Sequence, residues 1–147
     1  MKGSYLKLGV TMVLSLGLMY VLTYAQIRQW DHFLWNTSNF YMALVMVAPM
    51  GVLMLGVMWS MFPSRKANLA LVAGFLALFA VAFAFGRTQA FVGDERFLEG
   101  MIPHHSRAIL VCQEADITDP EIIELCDGII ETQREEIAQM QRILERY

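Results

Sequence analysis

The chain has 147 residues, the length of one ordinary domain, yet 56% of them are hydrophobic and only 17% charged, which is too apolar for an average soluble fold. Its net charge of −3 conceals a division: residues 1–92 hold six Lys/Arg and one Asp, whereas residues 93–147 hold five Arg and thirteen Asp/Glu. An acidic tail of that kind repels nucleic acid and anionic lipid, and nothing in the sequence forms a Gly-rich phosphate loop, a Ser-His-Asp grouping or a basic nucleic-acid face.

Three uncharged stretches, residues 8–25, 40–62 and 67–85, each approach the ~20 residues needed to cross a bilayer as a helix. Thr23-Tyr24-Ala25 loosely imitates a signal-peptidase site, but the chain starts at Met1, which favours a retained first span. Lys2 and Lys7 precede the first span and Arg65 and Lys66 separate the second from the third, while the first loop offers Arg28 against Asp31. Counting basic residues therefore puts the N-terminus in the cytoplasm and, after three crossings, the acidic tail outside. The first loop carries Trp30, Phe33 and Trp35, suited to the headgroup region, and among them His32, read as a polar residue at the membrane surface or, alternatively, as a metal ligand or its support.

In the second span Met42, Met46, Met50, Met54 and Met58 recur every four residues, so their thioethers form a slowly winding stripe. Flexible methionine filling irregular gaps between helices is one reading, and a sulfur path for metal ions is the other. Pro49 and Gly51 are expected to loosen this helix near its middle.

Gly93-Asp94 opens a fourth helix, expected to run to about residue 117 with Pro103 inside it. Asp119-Pro120-Glu121 starts a fifth, because Asp caps, Pro suits the first helical position and Glu complements the dipole. That helix is expected to run almost to Tyr147 with Ile122, Cys126, Ile129, Ile130, Gln133, Ile137, Met140 and Leu144 on its inner side. Antiparallel pairing of the two helices sets Cys112 opposite Cys126, His105 opposite Gln133 and Met101 opposite Ile137. Met101, His105, Ala108 and Cys112 form the expected inward stripe. The cysteines fit three readings: a disulfide staple, soft metal ligands or inert buried thiols.

Met101-Ile102-Pro103-His104-His105 puts two imidazoles beside a thioether, a combination that suits copper better than magnesium, calcium or manganese. Taken with Phe97 before it, Ala108 after it, and Gln133-x-x-Glu136-Ile137-x-x-Met140 downstream, it resembles the bacterial ferritin-like family called domain of unknown function 305, over roughly residues 93–144. The resemblance implies copper binding on the outer side of the cytoplasmic membrane. Where the family often has Met, this chain has Val111.

The expectation is thus an all-α protein: a three-span membrane domain, residues 1–92, followed by an extramembrane antiparallel helical hairpin, residues 93–147, ferritin-like and completed by oligomerisation. Met101, His104, His105 and Met140 would bind copper, with Gln133 and Glu136 orienting a histidine or accepting a hydrogen bond from one. The expected function is capture or buffering of copper in the bacterial inner membrane, with the bilayer, further copies of the chain and a copper acceptor as partners. The alternative is an accessory subunit with a purely structural hairpin. An enzyme is not expected, since a di-iron oxidase needs Glu-x-x-His pairs that the tail lacks, although copper-dependent redox chemistry remains a third idea.

Overall fold

The computed structural model describes residues 3–147, so Lys2, used above to orient the chain, lies outside them. The described residues form five helices and no strand: α1 (Gly3–Leu22), α2 (Thr37–Val57), α3 (Arg65–Thr88), α4 (Asp94–Glu114) and α5 (Pro120–Leu144), with single 3₁₀ turns at Trp30–His32 and Trp59–Met61. α1, α2 and α3 are long and apolar enough to cross a membrane. Their 20, 21 and 24 residues correspond to about 30–36 Å of helix. Leu6, Val13 and Leu14 on α1 and Leu69 on α3 are exposed, as suits helices solvated by lipid.

The helix ends differ from the apolar runs because hydrogen bonding follows caps and prolines rather than hydropathy. α1 extends back through Lys7. α2 stops at Val57 and tightens into the Trp59–Met61 turn ahead of Pro63, which disfavours a helical residue before it. α3 begins at Arg65 because Ser64 caps it, its hydroxyl accepting from the Ala67 amide at 3.2 Å.

The chain folds into two compact units. The first is the chain up to Thr23 with Ser38–Ala90; the second is Tyr24–Thr37 with Phe91–Tyr147. The loop between α1 and α2 thus belongs to the second unit, with Phe91–Tyr147.

In the first unit Leu8 and Met12 of α1, Val47 and Leu55 of α2 and Phe62 form a buried cluster. The methionine stripe divides along its length. Met50, Met54 and Met58 pack against this cluster, whereas Met42 and Met46 are exposed, following the drift of about 40° per four residues. Gly51 is required by close approach, since a Cβ there would lie 2.7 Å from the Phe75 ring of α3. The Tyr5 hydroxyl donates to Asn68 Oδ1 at 2.7 Å and accepts from the Ser64 amide at 3.3 Å, tying α1 to the start of α3. Tyr41 of α2 donates to the Ala90 carbonyl, just past the end of α3, at 2.7 Å.

The second unit is built on α4 and α5, which run side by side in opposite directions. Cys112 and Cys126 are joined as a disulfide near the turn, with Cα atoms 5.4 Å apart, and at the far end the Tyr147 hydroxyl reaches Asp94 at 3.4 Å. α4 ends at Glu114, three residues before the position expected, and residues 115–119 lead into α5. Asp119 caps α5 as expected, its carboxylate accepting from the Glu121 and Ile122 amides. Leu98, Ile102 and Ile109 of α4 and Ile137 and Met140 of α5 make the core, with Leu34 from the α1–α2 loop packed against it.

Candidate functional site

The buried stripe of α4 is not the one the sequence suggested. Leu98, Ile102, Ser106 and Ile109 are buried, whereas Met101, His105, Ala108 and Cys112 are half-buried along its edge. The cause is a second neighbour. α4 is covered by α5 on one side and by the α1–α2 loop on another, so its centre of burial turns by about one residue, or ~100°. Ile122, placed on the inner side of α5 by its spacing, is likewise exposed, since the first turns of α5 extend beyond the core.

His105 occupies the seam between α4 and α5. Its Nδ1 lies 2.9 Å from the Met101 carbonyl, which can only accept, so Nδ1 carries a proton. Its Nε2 therefore faces α5, where it meets Glu136 Oε2 at 2.8 Å. Gln133 donates from Nε2 to the same carboxylate oxygen at 3.3 Å. The expected partner across the seam was Gln133, and the structure places Glu136 there instead. Side chains lean toward the N-terminus of their own helix. His105 thus leans away from the turn and Glu136 toward it, so that residues one turn out of simple register meet. The His105 ring is thus held at both nitrogens, by the Met101 carbonyl at Nδ1 and by Glu136 at Nε2.

Met101 is half-buried against the core cluster to which Met140 belongs, so the two thioethers arrive from facing helices. His104 is exposed, its ring centroid 5.8 Å from that of His105. Cys112 and Cys126 are held in the disulfide and are not available as thiolates. Among the described residues no three His, Cys, Asp or Glu side chains converge as a metal-holding group.

His32 is not at the surface, where its aromatic surroundings put it, but buried with Nδ1 2.7 Å from the Ser106 hydroxyl of α4. Burial lowers its pKa below the ordinary histidine value; Asp31 opposes that shift and Arg28 reinforces it. Trp30 and Trp35 on the same loop remain exposed. Ser106 is the residue that sequence reasoning passed over. The signal was a single hydroxyl on an otherwise apolar helical stripe between Ile102 and Ile109, a position that needs a hydrogen-bond partner when buried.

The model of the family described as domain of unknown function (DUF305) matches residues 84–144. The uncharacterized protein L153 of Acanthamoeba polyphaga mimivirus is 37% identical over 112 residues, covering 75% of this chain and 72% of its own. The chain belongs to the DUF305 family. The match takes in the end of α3, all of α4 and α5 to Leu144, and with them His104, His105, Gln133, Glu136 and both methionines. The likeness to the mimiviral protein is wider than this domain, since it extends over three quarters of the chain. No solved structure matches.

Proposed function

We propose that this DUF305 chain is a membrane-anchored copper-binding protein that captures or buffers copper, as cargo, on the outer face of the cytoplasmic membrane. The observation that carries the reading is the setting of His105. One ring nitrogen is fixed on a backbone carbonyl and the other aimed at a carboxylate 2.8 Å away across the seam. An imidazole nitrogen and a carboxylate oxygen at that separation call for a positive species between them, a proton or a metal ion. His104 stands on the next position, and the Met101 and Met140 thioethers belong to the same seam, a donor set that suits copper. Glu136, expected to orient a histidine or accept a hydrogen bond from one, enters this reading as an oxygen donor in its own right, steadied by Gln133.

The charge count of the loops supports an extracytoplasmic second unit, an environment in which the Cys112–Cys126 disulfide persists. Ile122, Ile123 and Leu125, exposed on α5, support association of copies through this helical hairpin toward a ferritin-like four-helix arrangement. Transfer to a copper acceptor fits a site at the edge of the core rather than within it.

A second reading, an accessory subunit whose helix pair is structural, is favoured by the completeness of the His105 contacts, since the ring has partners at both nitrogens. Competition titration of the full-length protein in micelles against a copper chelator separates the two. His105→Ala weakens copper binding most, His104→Ala and Met101→Ala follow, and Met140→Ala weakens it least. If the double variant His104→Ala, His105→Ala binds copper as well as the parent, the accessory reading replaces the copper one.

A further inference from the structure

The segment between α1 and α2 is fastened to α4 at several points. The Arg28 amide donates to the Ser106 hydroxyl at 2.8 Å, and His32 Nδ1 meets the same oxygen at 2.7 Å. Arg28 Nε donates to Gln113 Oε1 at 2.8 Å, and Arg96 of α4 returns a contact to the Trp35 carbonyl at 3.4 Å. Leu34 closes over the core of Leu98, Ile102 and Ile109. The segment is braced internally as well: the Tyr24 hydroxyl donates to the Leu34 carbonyl and accepts from Asn36 Nδ2 at 2.9 Å.

We propose that residues 24–37 are a clasp on α4, latched by the His32 ring on the Ser106 hydroxyl, and that acidification releases the latch. A hydroxyl has one proton to give and two lone pairs to receive with. One lone pair takes the Arg28 N–H, leaving the Ser106 proton free to be given to Nδ1 of a neutral ring. A protonated ring has no acceptor at Nδ1. It would donate to Ser106 instead, displacing the Ser106 proton from Nδ1 to another acceptor, and would bring a full charge into a buried position beside Arg28.

The charged groups acting on His32 are Asp31, which favours the protonated ring, and Arg28, which opposes it, both on its own loop. α4 faces the ring with the neutral Ser106. The residues beside Ser106 are otherwise disposed, His105 being paired with Glu136 of α5 and Arg107 exposed. Burial is the largest influence, so the closed clasp holds the ring's pKa below the ordinary value near 6.5. The sign follows from linkage. The open state binds the proton more tightly, so the clasp has its full stability above about pH 6.5 and loses it as pH falls from there toward the lowered value. With a single proton the open-to-closed ratio rises by at most about tenfold per pH unit across that window. None of this depends on the copper reading.

The test is hydrogen–deuterium exchange of the full-length protein in micelles at pH 7.5, 6.5 and 5.5, corrected for intrinsic exchange and followed in peptides spanning residues 24–37. Loop protection in the parent falls with acidification, by up to tenfold per unit below about pH 6.5. His32→Asn keeps a polar atom at the δ position without titrating, and holds protection level across the range. Ser106→Ala leaves the loop unprotected at every pH while α5 peptides stay protected. A flat profile in the parent overturns the proposal, as does a His32→Asn variant that follows the parent's slope. If His32→Asn fails to close the clasp at all, nitrogen NMR of His32 in the parent decides. A neutral ring protonated on Nε2 and titrating below 6.5 upholds the latch, and a midpoint at or above 6.5 removes it.

Discussion

Replacing both Cys112 and Cys126 by alanine tests how far the second unit depends on its covalent tie. The bridge joins residues 14 apart in sequence with Cα atoms 5.4 Å apart, so it spans two helices already packed side by side and acts chiefly on the unfolded chain. For a closed loop of about 15 residues the chain-entropy relation gives about 3 kcal/mol at 25 °C. Since ~1.4 kcal/mol is a factor of ten, opening of α4 and α5 as a unit becomes a little over 100-fold more frequent. Amide exchange in peptides from residues 98–110 and 122–140, measured on the full-length protein in micelles, reads that factor directly. The expected result is a matching loss of protection in both helices, with α1 to α3 unchanged, and the same loss in the parent under reductant. Protection altered by less than about threefold would refute the reasoning. So would a mass two hydrogens heavier than the bridged form in protein kept from reductant.

Three further outcomes follow from particular contacts. Gly51→Ala puts a Cβ 2.7 Å from the Phe75 ring and forces that ring aside, costing about 1–3 kcal/mol; the lowered thermal midpoint is recovered in part by adding Phe75→Leu. Asp119→Ala removes the acceptor for the Glu121 and Ile122 amides and lowers the stability of α5 by about 1 kcal/mol, read as faster exchange confined to its first turns. A reporter fused after Tyr147 is active only outside the cytoplasm, and cytoplasmic activity overturns the orientation.

What the sequence by itself determined is the part governed by local chemistry. Three uncharged runs of about 20 residues specify helices long and apolar enough to cross a membrane, because backbone groups in hydrocarbon must bond within their own segment. Asp119 and Pro120 set the start of α5 through a cap that acts within one turn. The Met-Ile-Pro-His-His stretch and the downstream Gln-x-x-Glu pattern identified the DUF305 domain.

What only the tertiary structure decided is which neighbours each face has. Spacing along α4 gave an inward stripe through Met101 and His105 on the assumption of one partner helix. The α1–α2 loop supplies a second partner and turns the buried face to Ile102, Ser106 and Ile109. His32 lies 74 positions from Ser106, so no local periodicity connects them. Equal-rise arithmetic on α4 and α5 placed Cys112 opposite Cys126 but set His105 opposite Gln133, because it counts backbone positions and ignores the direction in which side chains lean. Helix ends and caps are written in neighbouring residues, whereas burial and pairing depend on packing between segments far apart in the chain, which no single stretch of sequence contains.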